Sequence, residues 1–184
     1  MTSHYEIRFS GSGGQGIMAI GDIFARAAGI YEGKEIVLTK SYGPESRGSA
    51  CRSELIVDDG PINYPTVTHP DFVLAMTQLS CDKYHGDLKK DGILLIDSTL
   101  VTTPPASIKR LYSIPMTQLA IEVTGKAITA NIAALGAVAV LGRFASVESV
   151  RRSLFAQFPT HFREANEKAF DTGIEAARRV LGEF

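Results

Sequence analysis

Apolar and polar residues alternate near the start of the chain, and the period then changes. Tyr5-Glu6-Ile7-Arg8-Phe9 repeats every second residue, which predicts a strand with one buried face. From Ile17 the apolar positions (Ile17, Ile20, Phe24, then Ala27 or Ala28) recur at three and four residues, which predicts a helix to about Ile30. Glu35–Thr39 and Ala50–Val57 predict two further strands. Phe72–Met76 and Gly92–Ile96 are unbroken apolar runs, the pattern of strands buried on both faces of a parallel sheet. A short helix around Leu79–Leu88 separates them, and Leu111–Ile114 predicts a strand after the Pro104-Pro105 breaker. The last third predicts helices. Ala127–Leu141 is apolar nearly all round and therefore buried, and Ser146 is placed to cap a second helix. The final helix runs from about His161 to Leu181, with Phe162, Ala165, Ala169, Phe170, Gly173, Ile174, Ala177 and Leu181 on its buried stripe. Strand–helix alternation with doubly buried strands defines an α/β fold: a three-layer α/β/α single domain over residues 1–184 with a largely parallel sheet. The first two strands are expected to be parallel neighbours joined by the first helix.

Composition narrows the function classes. With 45% hydrophobic and 21% charged residues, the chain is globular rather than disordered. The 19 Lys+Arg against 20 Asp+Glu leave a net charge of −1, which argues against a nucleic-acid partner because phosphate neutralisation needs a basic excess. The same balance leaves little repulsion against subunit assembly, and a homodimer of the isolated chain is an expectation. Cys51 and Cys81 are far apart, with no C-x-x-C, so no iron–sulfur or structural zinc framework is built from them, and they are expected to be reduced, buried thiols. His4, His69, His85 and His161 have no metal spacing, and no metal-ligating residue is assigned. Met1–Arg8 lacks the apolar run of a signal peptide, and Ala127–Leu141 is too short to span a bilayer, so a soluble, cytoplasmic protein without a membrane partner is expected.

Two loops carry candidate chemistry. Gly11-Ser12-Gly13-Gly14-Gln15-Gly16 follows a strand and opens a helix, where glycines permit a tight turn and the helix N-terminus offers N–H donors to a phosphate. Positions 11, 13 and 16 satisfy G-x-G-x-x-G, but the second strand ends Leu38-Thr39-Lys40-Ser41, without the acid that holds a dinucleotide ribose. Glu35 has about the right spacing but stands at that strand's start. An autonomous nicotinamide-binding oxidoreductase, a packing turn, and a phosphate-bearing or interface loop of another kind all remain open on these residues. The second loop, Ser41-Tyr42-Gly43-Pro44-Glu45-Ser46-Arg47-Gly48-Ser49, sets a Tyr, a Glu and an Arg between glycines at a strand end. Arg47 is able to clamp a carboxylate or phosphate, or to pair internally with Glu45.

Together the two loops resemble the gamma subunit of 2-oxoacid:ferredoxin (acceptor) oxidoreductases. The motif pair is Gly-x-Gly-Gly-Gln-Gly followed about 25 residues later by Ser-Tyr-Gly-Pro-Glu-x-Arg-Gly. The resemblance extends through Glu54–Val57, Ile62-Asn63-Tyr64-Pro65 and Asn131–Gly136, and departs from the family at Ser49, where a second glycine is common. It implies a fold like domain III of pyruvate:ferredoxin oxidoreductase. It also implies a chain that catalyses nothing alone and assembles with alpha, beta and delta-type subunits into an enzyme that decarboxylates a 2-oxoacid oxidatively. The acyl product passes to coenzyme A and the electrons to ferredoxin. Thiamine diphosphate, Mg and the iron–sulfur clusters are then held by the partner subunits, with coenzyme A as a shared ligand. 2-Oxoglutarate is the implied substrate, with pyruvate, branched-chain 2-oxoacids and indolepyruvate as alternatives. Carried over residue by residue, the implied contacts are Gly11, Gly13, Gly14, Gln15, Gly16, Tyr42, Glu45, Arg47 and Gly48, and none of them is catalytic.

Three further residues have two readings each. Asp97 ends a strand as a turn cap or a catalytic acid, and Asn131 on the apolar helix bonds a nearby backbone group or reaches a ligand or partner. Cys51, without a neighbouring base, is a buried strand thiol.

Overall fold

Among the described residues, six strands, β1 (His4–Ser12), β2 (Glu35–Ser41), β3 (Ala50–Asp58), β4 (Phe72–Ala75), β5 (Ile93–Asp97) and β6 (Arg110–Ile114), form one sheet in the order β2-β3-β1-β4-β5-β6. The computed structural model describes residues 4–42 and 49–183. β1, β4, β5 and β6 are parallel, whereas β3 runs against both β1 and β2. The first two strands do share a direction, but they are not neighbours, because β3 lies between them. The chain from Ser41 to Ala50 is short enough only to turn back, so β3 pairs with β2 and fills the place beside β1.

Among the described residues, six α-helices flank the sheet: α1 (Ile17–Arg26), α2 (Gln78–Tyr84), α3 (Met116–Thr124), α4 (Ala130–Gly142), α5 (Val147–Gln157) and α6 (Arg163–Leu181). Alternation along the strands sorts the two faces. Ile7, Phe9, Leu55, Leu74 and Leu95 join the large core beneath α1 and α3–α6. Val73, Ala75, Leu94 and Ile96 face the other way and meet Cys81 of α2 in a smaller core. The layers are therefore unequal, and among the described helices α2 alone covers the second face. At the centre of the large core Phe9 stacks on Phe24, with ring centroids 5.4 Å apart, and Phe144 meets Phe24 in a tilted contact at 5.0 Å.

The expected buried helix Ala127–Leu141 holds from Ala130 on; Ala127–Thr129 form a 3-10 turn in which Ala127 and Ile128 are exposed. α4 has no polar face because it lies between α6 and the sheet. Its backbone meets that of α6 directly: a Cβ on Gly173 would fall 1.9 Å from the Ala133 carbonyl oxygen, and one on Gly136 would fall 2.2 Å from that of Phe170. Helix α6 begins at Arg163, so the expected stripe holds only in part. Ala169, Phe170, Gly173, Ile174 and Ala177 are buried, while Phe162 sits ahead of the helix in a 3-10 turn and is 44% exposed. Ala165 and Leu181 are half-buried, and Asn166 takes an inward position instead.

Ser146 caps α5, accepting the Ser149 N–H at 3.2 Å, and its own N–H donates to Glu32 Oε1 at 2.7 Å. Glu32 follows the π-helical turn Ala27–Tyr31 that ends the first helix, so this carboxylate ties two distant helices together. Burial works to raise the Glu32 pKa, but hydrogen bonds from the Ser146 backbone and side chain outweigh it and hold the carboxyl below its ordinary 4.5. A depressed carboxylate stabilises the fold above its unfolded pKa, and that contribution is lost as pH falls through the folded value. Glu32→Gln is therefore expected to lower the melting temperature at pH 7. Its stability should also fall less steeply than that of the parent below about pH 4.5, as followed by thermal denaturation across pH.

Candidate functional site

The carboxyl ends of β1, β4 and β5 open at one edge of the sheet, the position where α/β folds place ligands. β1 runs to Ser12, and Gly13 and Gly14 are exposed in the turn that follows. Gly14 has φ +92° and Gly16 has φ +76°, conformations that side chains disfavour. Gln15 does not project outward. Its Oε1 accepts the Ser12 N–H at 2.8 Å, and its Nε2 lies 3.5 Å from the Met76 carbonyl at the end of β4. A Cβ on Gly11 would meet that Oε1 at 2.6 Å, so Gly11 makes room for the staple. Gly16 is the N-cap of α1 with no side-chain cap, and its carbonyl accepts the first helical bond, from Ile20 N at 3.2 Å. The N–H groups ahead of that bond have no helical acceptor.

Asn131, in the first turn of α4, stands directly against this point: a Cβ on Gly16 would come 2.2 Å from its Nδ2. The residue is buried, and its side chain makes no hydrogen bond to a described residue, so the backbone-satisfied reading does not hold. Around the loop, Gln15, Met76, Leu100, Thr117, Ile128 and Ala130 line a cavity of about 360 Å³. A cleft of about 510 Å³ lies at the opposite, amino ends of the strands, but Lys89 and Arg110 there are engaged with Asp71 and with the Asp91 carbonyl.

The second loop starts from the same edge. Ser41 pairs with Arg52 and Ser12 with Ala50, so the ends of β1 and β2 flank the start of β3. Tyr42 is described and 72% exposed; Glu45, Arg47 and Gly48 lie outside the described residues. Glu35 pairs with Asp58, which also faces His4, and so sits at the far end of the sheet. With an antiparallel strand between β1 and β2 and no acid at the end of β2, the dinucleotide arrangement is not built.

Asp97 is the turn cap. Fully buried, it accepts from Thr99 N at 3.1 Å and from Thr117 N at 3.1 Å, and so also secures the start of α3. Cys51 and Cys81 are free and buried in separate cores on opposite faces of the sheet, so they do not converge on one ion. Burial pushes the Cys51 thiol up and the Cys81 thiol up to about 11. Among the described residues, no helix is long and apolar enough to cross a membrane.

The described chain is an α/β fold with a stapled glycine turn at the carboxyl ends of its parallel strands, the edge at which β2 also ends. Residues 6–176 match the family model of pyruvate ferredoxin/flavodoxin oxidoreductase, and the chain belongs to that family. It is 42% identical to the 2-oxoglutarate synthase subunit KorC of Methanocaldococcus jannaschii, over 95% of both chains. Among solved structures it superposes on the gamma subunit of a keto/oxoacid ferredoxin oxidoreductase from Geobacter sulfurreducens. That match has a TM-score of 0.88 and 45% identity, and covers 96% of this chain and 98% of that one. The same fold, at 23% identity and a TM-score of 0.83, covers 96% of this chain and forms 31% of a longer chain of the 2-oxoglutarate:ferredoxin oxidoreductase of Magnetococcus marinus. That structure holds 2-oxoglutarate, coenzyme A and succinyl-CoA.

Proposed function

We propose that this chain is the gamma subunit of a 2-oxoacid:ferredoxin oxidoreductase of the 2-oxoglutarate type, inactive alone and forming one wall of the coenzyme A side of the assembled active site. In the reaction, the 2-oxoacid loses its carboxylate as carbon dioxide, two electrons leave to the iron–sulfur acceptor, and the acyl group joins the coenzyme A thiol. Thiamine diphosphate, Mg and the clusters belong to the alpha, beta and delta-type companions in this reading. The reading rests most directly on the strand register that brings Ser12 and Ser41 out at the same sheet edge. There the uncapped start of α1 supplies N–H donors, and in this reading Arg47, which lies outside the described residues, is the guanidinium fork for a phosphate. Gly11 and Gln15 act by shaping the turn, while Gly13, Gly14 and Gly16 are where a phosphate approaches the backbone.

Removing a charge-assisted contact costs about 1.5–3 kcal/mol, roughly 10- to 100-fold in affinity. Arg47→Ala in the assembled enzyme is therefore expected to raise KM for coenzyme A by that factor, with kcat and the KM for the 2-oxoacid little changed. An unchanged KM for coenzyme A, with a less stable isolated chain, assigns Arg47 to an internal pair with Glu45 instead.

A further inference from the structure

The cavity beside the glycine turn is mostly apolar, and phosphates held by the turn itself leave it unfilled. Met76, Leu100, Ala127, Ile128 and Ala130 form most of its wall, around a volume of about 360 Å³. That falls within the roughly 300–1,000 Å³ of small-molecule sites. At its rim Leu100 is 39% and Ile128 60% exposed, apolar surface that a ligand would shield from water. Two polar side chains, Gln15 and Thr117, also face it, and none of its lining residues among those described carries a charge.

Hydrogen-bond valence defines what these two side chains offer. The Thr117 hydroxyl donates to Asp97 Oδ2, and the Thr117 backbone N–H donates to the same oxygen at 3.1 Å. With its proton committed, Thr117 Oγ1 has only lone pairs left for a ligand. Gln15 is the converse. Its Oε1 accepts the Ser12 N–H, which fixes the end of the amide that carries the nitrogen. Of the two N–H groups on Nε2, one turns to the Met76 carbonyl at 3.5 Å, and the other is left over. The side chains therefore present one acceptor and one donor. An anionic group gains nothing from Thr117, which has the Asp97 carboxylate behind it. A secondary amide carries both complementary groups on a neutral chain. The described wall also contains no aromatic ring on which a nucleotide base would stack.

We infer that this cavity holds the pantetheine arm of coenzyme A, the neutral, amide-bearing chain between its nucleotide and its thiol. An amide N–H of the arm donates to Thr117 Oγ1, and an amide C=O accepts the free N–H of Gln15. The inference rests on the coenzyme A reading above. Asp97 is then a positioning residue. It orients Thr117, and it fixes the Leu100 wall by accepting Thr99 N through its carboxylate and Leu100 N, at 3.0 Å, through its carbonyl.

The test is steady-state kinetics of the assembled enzyme, with 3′,5′-ADP, which has the nucleotide without the arm, as a competitive inhibitor. Thr117→Val should raise KM for coenzyme A about 5- to 30-fold, the scale of one lost hydrogen bond to a desolvated group. Thr117→Ser keeps the hydroxyl and should stay near the parent. Leu100→Asp, at a partly exposed position, should raise the same KM without a change in melting temperature, and so decides the matter even where Thr117→Val fails to fold. The Ki for 3′,5′-ADP should not move in any of these variants. A parallel rise in that Ki would put the nucleotide in the cavity, and unchanged KM values would leave the cavity without a part in coenzyme A binding. Either result overturns the inference while the proposed function stands. Companion subunits that use coenzyme A equally well without this chain overturn both.

Discussion

Gly173→Val should melt about 6–12 °C below the parent, the shift expected for a loss of about 3 kcal/mol in a chain of this size. Replacing a mid-helix glycine ordinarily gains about 0.5–1 kcal/mol from the reduced freedom of the unfolded chain. Packing reverses the sign here. The added Cβ would fall 1.9 Å from the Ala133 carbonyl oxygen and 2.8 Å from its carbon, and these are backbone atoms of α4 that no rotamer change can move. α4 and α6 must separate, and the apolar surface between them opens. Gly136→Val should behave similarly, since its Cβ would lie 2.2 Å from the Phe170 carbonyl oxygen. Thermal denaturation of either variant at the parent's melting temperature or above would show that the helices cross further apart than described.

Arg8→Ala should cost about 3–5 kcal/mol, the penalty for leaving a buried charge without its partner. Arg8 is 2% exposed, and its Nε donates to Glu54 Oε1 at 2.7 Å. Its Nη1 reaches Asp87 Oδ2 at 3.0 Å and the Tyr84 carbonyl at 3.4 Å, so one guanidinium joins β1, β3 and the segment after α2. Without it, Glu54 keeps, among the described residues, only Arg52, whose Nε is 3.3 Å from Oε2 but is not aligned for a hydrogen bond. The double variant Arg8→Met with Glu54→Leu should recover most of the loss, because apolar replacement of both partners removes the desolvation penalty as well. A urea midpoint for Arg8→Ala within error of the parent would contradict this account of the sheet's second face.

Local patterns made most elements readable. The alternation at Tyr5–Phe9, the apolar runs of β4 and β5, and the Ser146 cap all act through neighbours a few residues away. What escaped depends on residues distant in sequence. α3 has no capping side chain of its own. Its first N–H groups are taken by Asp97 and Thr99 from the end of β5, about 20 residues earlier, so no local start signal exists. The position of β3 between β1 and β2 is likewise a property of pairing, which a pattern of period two does not specify. At the site, the glycine turn was legible as a motif, but the role of Gln15 as a staple to Met76 was not, because its acceptor is 61 residues away. Asn131 stood out as a lone amide on an apolar helix; its place against Gly16 required the fold.

Turnover in the reconstituted complex tests the central claim most directly. The rate of 2-oxoglutarate- and coenzyme A-dependent reduction of a ferredoxin or dye acceptor would be measured for this chain alone, for the companion subunits alone, and for the two combined. The account predicts no turnover from this chain, little from the companions, and full activity only on mixing, with succinyl-CoA formed in step with acceptor reduction. Turnover by this chain alone, or companions equally active without it, would contradict the assignment of a gamma subunit that completes the coenzyme A side of the site.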